Sequence, residues 1–102
     1  MKLQCKLTGA PELRFTPRGR EVCMLYLSDE RYPRGEAWGQ LAGDIADSWD
    51  LKPGTEVGLL GHTKTVRWTT RDGEQRSAVH LVVTVLAYRS AGKRRVLRGE
   101  SR

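Results

Sequence analysis

Asp72-Gly73 lies between two long runs of β-type residues, and no other feature of the chain limits its fold so strongly. Val57, Leu59 and Leu60 open the first run, and Val79, Leu81, Val82, Val83, Val85 and Leu86 carry the second. A tight turn needs positive φ, which glycine supplies without steric cost, so Asp-Gly between such runs predicts a β-hairpin. The hairpin is expected over Thr55 to Tyr88, with Trp68 to Arg76 forming its polar end. Side chains alternate across a strand, which puts His62, Lys64, Val66 and Trp68 on one face.

The chain leading to the hairpin reads as further strands and one helix. Lys2, Gln4 and Lys6 alternate with Leu3, Cys5 and Leu7 in a half-buried strand over Lys2–Thr8. Gly9-Ala10-Pro11 bends or interrupts it before Glu12–Thr16 resumes an extended run, and Pro17 to Arg20 makes a turn. Glu21–Ser28 is the next strand, with Cys23, Leu25 and Leu27 on one face. Its other face, Val22, Met24 and Tyr26, is apolar enough to expect a ligand or a second subunit against it. Asp29–Gly35 is a polar loop containing Tyr32, and a short strand is expected around Glu36–Trp38. Leu41, Ile45 and Trp49 recur every four residues, which predicts an amphipathic helix over Gln40–Trp49 with Trp49 in its apolar stripe. Pro53-Gly54 would end it. The expected class is all-β with one helix. Five strands with the helix between the third and fourth describe the OB-fold, a Greek-key barrel, although pattern alone leaves other small barrels open.

At 102 residues the chain is long enough for one domain with its own core. The net charge of +6 is unevenly placed: residues 89–102 hold six basic side chains against Glu100, while residues 1–88 hold twelve against eleven acids. The expected organisation is a domain over 1–89 and a basic, disordered tail over 90–102. Cys5 and Cys23 lack a histidine at zinc-ligand spacing and read as buried free thiols. His62 and His80 read as hydrogen-bonded structural histidines. No apolar run reaches the roughly 20 residues of a membrane span, and the amino-terminal alternation is not that of a signal peptide, so a cytoplasmic protein is expected. No nucleophile–base pair, metal cluster or phosphate loop is evident, so neither an enzyme nor a cofactor is expected. An indole beside a cation on one sheet face is, by contrast, the surface that takes single-stranded nucleic acid.

Three segments carry a family resemblance. Pro11-Glu12-Leu13-Arg14-Phe15-Thr16-Pro17-Arg18-Gly19, Ala37-Trp38-Gly39-Gln40-Leu41-Ala42, and Lys52 to Val57 with Gly61 and Arg67-Trp68-Thr69 through Asp72-Gly73 are similar, in order, to segments of bacterial single-stranded DNA-binding proteins. The resemblance covers about residues 1–88. It implies a homo-oligomeric OB-fold that wraps single-stranded DNA in replication, repair or recombination, at the nucleoid. It also implies that Trp38 and Trp68 stand at base-stacking positions, with Tyr32 replacing a third aromatic. Lys64 falls in the basic hairpin beside Arg67, although alternation turns Arg67 to the opposite face. Arg14, Arg18, Arg71 and Arg76 are candidate phosphate contacts, each with an ordinary solvated charge as its alternative. Phe15 is expected in the core or at a subunit contact.

The chain departs from the family in three places. The Asp29–Glu36 connection is shorter, Ser77 replaces a usual aromatic, and a basic tail stands where the family has a Gly/Pro-rich linker and an acidic tip. The truncation is similar to that of a primosomal replication-restart protein. An adaptor that mainly bridges proteins and binds single-stranded DNA weakly is therefore the alternative. Expected partners are single-stranded DNA, further copies of the chain as a dimer or tetramer, and replication or repair proteins, with no membrane.

Overall fold

A computed structural model describes residues 1–99. Its elements are β1 (Lys2–Lys6), β2 (Glu12–Phe15), β3 (Glu21–Tyr26), β4 (Arg34–Trp38), α1 (Gln40–Ala46), β5 (Glu56–Thr69), β6 (Gln75–Ser90) and β7 (Lys93–Arg98). The protein is thus mostly β with one short helix. Strands pair in the order β1-β5-β6-β4-β3-β2, all antiparallel except β4 with β6, and β7 adds to β6. A bridge between Leu7 and Leu27 then ties the end of β1 back to β3. Thr8 N–H donates to Tyr26 O at 2.8 Å, and Ser28 N–H to Lys6 O at 2.9 Å, on either side of it.

Two expectations about the count need correcting. Among the described residues seven strands form instead of five, and the helix follows the fourth instead of the third. Gly9-Ala10-Pro11 separates β1 from β2 completely, because proline lacks the N–H that would continue a ladder. The other addition is β7, within the segment expected to be disordered. Ala91 and Gly92 adopt φ of 52° and 77°, the pair of left-handed residues that closes a two-residue hairpin, and Ser90 pairs with Lys93 across it. Leu97 then packs against the core. The tail's last three residues, 100–102, lie outside the described residues.

The long hairpin forms as its Asp-Gly signal predicts, with Gly73 at φ 84° and Thr70 N–H donating to Glu74 O at 2.9 Å. Its register slips once, between Leu60 and Gly61. There Leu60 faces Val85 and Gly61 faces Val83, leaving Thr84 as the extra residue of a bulge. A side chain on Gly61 would collide with the Val82 carbonyl, so the close approach requires glycine. The bulged Thr84 carbonyl accepts Gly99 N–H at 2.7 Å, which fixes the chain just past β7. The bulge also switches which residues of β6 face inward, from Leu86 and Tyr88 to Leu81 and Val83.

The core joins Leu3, Leu7, Cys23, Leu25, Leu27, Ala37, Leu41, Ile45, Val57, Leu59, Leu81, Val83 and Leu86. The inward face of β3 is therefore the expected one, and both cysteines are free thiols. Burial, the main influence on Cys23, pushes its thiol up to about 11. The helix is shorter than its periodicity predicts. Ser48 N–H donates to Ile45 O at 3.0 Å, tightening the last turn, and Leu51 becomes the next buried residue. Trp49 lies beyond the helix and is 88% exposed, contrary to its expected place in the core.

Candidate nucleic-acid interface

Strand register alone assembles one outward face across five strands. Directly paired residues project to the same side of a sheet. Trp68 faces Arg76, Val66 faces Ala78, Lys64 faces His80 and His62 faces Val82 across β5 and β6. Val82 is the register partner of Glu36 in β4, which carries Arg34 and Trp38 on the same side. Tyr26, Met24 and Val22 of β3 continue the face, followed by Glu12 and Arg14 of β2. The apolar second side of β3 noticed in the sequence is thus part of this surface.

Glu36 is the centre of the face and is only 4% exposed. Its Oε1 accepts the Trp38 indole N–H at 2.9 Å and the Lys64 ammonium at 2.9 Å. Its Oε2 lies 3.2 Å from His80 Nδ1. Burial is the largest single influence on this carboxyl and works to raise its pKa. The hydrogen bonds from Lys64, Trp38 and His80 together outweigh burial and hold the pKa below the ordinary carboxylate value. Glu36 is therefore a carboxylate at neutral pH, and its position under a cationic face needs these three donors. Arg20 and Lys64 both lie over the Trp38 ring, 4.7 and 5.3 Å from its centroid, within cation–π range.

Trp68 stands at the other end of the face and is 46% exposed, which is unusual for an indole without a partner. It lines an open groove of about 630 Å³ with Val66, Ala78, Val79, His80, Pro33, Arg31 and Arg34. Apolar walls with cations at the margin can hold a flat ring and the anion attached to it.

Of the residues singled out in the sequence, the structure brings Trp38, Trp68, Lys64, Arg76 and Arg14 onto this face. All three of these cations are engaged with carboxylates: Lys64 pairs with Glu36 at 2.9 Å, Arg76 with Glu74 at 2.9 Å, and Arg14 with Glu12 at 3.1 Å. Arg67 faces Ser77 on the opposite side of the hairpin, as alternation requires. Arg18 and Arg71 are exposed in turns outside the strands. Tyr32 is half-buried against the core, with the Arg31 guanidinium 5.7 Å above its ring. Glu36, His80, Arg20 and Arg34 were not recognised as site residues in the sequence. Glu36 and Arg34 come from β4, His80 from β6 and Arg20 from the turn before β3, so no local spacing links the three places.

No family model matches the chain. A single-stranded DNA-binding protein of Paenarthrobacter aurescens is 30% identical over 93 residues, covering 76% of this chain and 53% of that protein. Those of Mycolicibacterium smegmatis and Mycobacterium tuberculosis are 33% and 31% identical over 93 residues, with the same 76% of this chain and 55% and 56% of theirs. The chain spans about half the length of the curated relatives it matches. A small, mostly β protein with one helix and an aromatic, cationic sheet face is the class that fold and site define. By sequence the chain is similar to bacterial single-stranded DNA-binding proteins.

Proposed function

We propose that this protein binds single-stranded DNA without sequence preference, on the face centred on Glu36, and serves DNA replication, repair or recombination. The observation that carries this reading is the exposed Trp68 aligned by strand register with Val66, Lys64 and His80. The relatives' shared name supports it. Cations at the groove neutralise phosphates and release counterions, which makes affinity salt-sensitive and independent of sequence. Trp68 stacks on a base that only an unpaired strand presents. Trp38, whose ring already holds Arg20 and Lys64, takes a base once one of these cations moves to a phosphate. Tyr32, Arg14, Arg18, Arg67, Arg71 and Arg76 extend the path as secondary contacts.

We read the fold as an OB barrel over residues 1–89, with β1 and β2 as two halves of its first strand and residues 90–102 as a basic appendage that includes β7. The parallel β4–β6 pairing and the Leu7–Leu27 bridge favour that topology. Self-association as a dimer or tetramer fits the exposed edge strand β2, where Phe15 is 64% exposed and Leu13 is exposed beside it. The protein acts as a binding module and not as an enzyme. Its place is the cytoplasm at the nucleoid, and no helix among the described residues is long and apolar enough to cross a membrane.

The test is tryptophan fluorescence on titration with oligo-dT at two salt concentrations, beside duplex DNA of equal length. Quenching by oligo-dT that weakens with salt and is far smaller with duplex supports the reading. Absence of quenching and of binding at low salt overturns it.

A further inference from the structure

Glu36, the one buried carboxylate among the described residues, is shared between a lysine and a histidine beneath the proposed binding face. Glu36 is ionised and can only accept hydrogen bonds, so the His80 Nδ1 at 3.2 Å carries the proton in the neutral imidazole. Nε2 is then the nitrogen that takes a second proton. His80 lines the open groove, which gives solvent a route to the ring.

With His80 neutral, the charges of Glu36 and Lys64 cancel, and the 2.9 Å pair holds the ammonium against an anion. A phosphate arriving at Lys64 meets the Glu36 charge as well. With His80 protonated, the imidazolium on Oε2 balances Glu36, and the Lys64 charge is available to a phosphate. Histidine is the side chain that makes this change near neutral pH.

We propose that Glu36 and His80 form a positioning pair for Lys64 and Trp38, and that the proton on His80 sets how strongly this face holds a nucleic-acid phosphate. The inference rests on the proposed single-stranded DNA binding. The surrounding charges are fixed cations: Lys64 from β5, Arg20 over Trp38, Arg31 and Arg34 at the groove, and Arg76 farther along β6. His62, on β5 opposite Val82, is the other histidine of the face, and Tyr26 and Glu12, hydrogen-bonded to each other at 2.7 Å, lie farther across it on β3 and β2. Binding of a polyanion therefore draws a proton onto His80, and affinity rises as pH falls.

The test measures oligo-dT affinity of the full chain at pH 6, 7 and 8 at constant ionic strength, with calorimetry in two buffers of different ionisation heat. Thermal unfolding confirms that each variant is folded. The wild type is expected to bind roughly three- to tenfold tighter at pH 6 than at pH 8 and to take up protons on binding. His80→Gln flattens the profile and removes the uptake, whereas His62→Gln retains both. Glu36→Gln, which can still accept the indole N–H, binds at pH 8 with the strength the wild type reaches near pH 6. Should Glu36→Gln fail to fold, the two histidine variants decide alone. A profile unchanged in His80→Gln, or one lost in His62→Gln, overturns the inference and leaves single-stranded DNA binding intact. Failure of the wild type to bind oligo-dT at any pH removes both.

Discussion

Trp68 and Glu36 represent the two ways in which a residue departs from the usual surface pattern of this chain. Trp68 leaves apolar area in water beside a polar turn, and its value lies in a partner that is not part of the fold. A stacked base is worth about 1–3 kcal/mol, so Trp68→Ala is expected to weaken oligo-dT binding about tenfold or more while leaving the melting temperature nearly unchanged. Titration with a labelled oligonucleotide, beside a thermal scan, checks both parts. Glu36 departs in the opposite sense, as a buried charge held by three donors. Its carboxyl pKa lies below the ordinary value of 4.5 in the fold. The unfolded chain therefore binds its proton more readily, so the stabilisation is present above the unfolded value and is lost as pH falls through the folded one. Glu36→Gln is accordingly expected to be less stable than wild type by roughly 1–3 kcal/mol at pH 7. The difference should shrink between pH 5 and pH 3, as urea unfolding across that range will show. Neither assignment depends on residue type alone. Trp49, with the same side chain as Trp68, was placed in the core by helical spacing and stands exposed past the helix end.

Among the elements, the hairpin β5–β6 and the strand β7 show how local chemistry sets register. Gly61 sits where the bulge brings the Val82 backbone against it. Gly61→Ala therefore forces two backbones apart and is expected to cost about 3 kcal/mol, or to prevent folding, by urea denaturation. Ala91 presents the converse case. It holds φ of 52° in a turn whose two central residues both need positive φ, a conformation that strains alanine but suits asparagine. Ala91→Asn is expected to raise stability by about 0.5–1 kcal/mol, read as an increase in melting temperature. This turn was not legible beforehand because Ala-Gly is a poor signal for it, and the run of Lys93, Arg94 and Arg95 behind it resembles a solvated tail. What overrides that pattern is tertiary: Leu97 packs on the core and Gly99 bonds the bulge. The Asp-Gly turn, in contrast, carries its own conformational requirement and needed no tertiary help to be read.

At the scale of the whole molecule, β5 and β6 serve both as part of the core and as a projection from it. Near Val57–Leu60 the pair is flanked by β1 and β7, whereas from Lys64 to Thr69 each strand is paired only with the other within the described sheet. Molecular extents of 49 × 30 × 24 Å reflect that projection. Amide exchange is therefore expected to be fast in residues 66–78 and slowest in 57–60 and 85–88, and to slow in the projecting part when oligo-dT is bound. The amino-acid sequence by itself determined the hairpin, the inward face of β3, the presence of one helix and the pairing of Lys64 with Trp68 on one side. These follow from alternation, periodicity and a glycine turn, all of which act over a few residues. Only the tertiary structure decided that β1 and β2 separate, that β7 joins the sheet and that Trp49 is left outside. It alone brought Glu36, His80 and Lys64 together from β4, β6 and β5. Contacts between distant strands depend on register and on a single bulge, and local spacing carries no record of either.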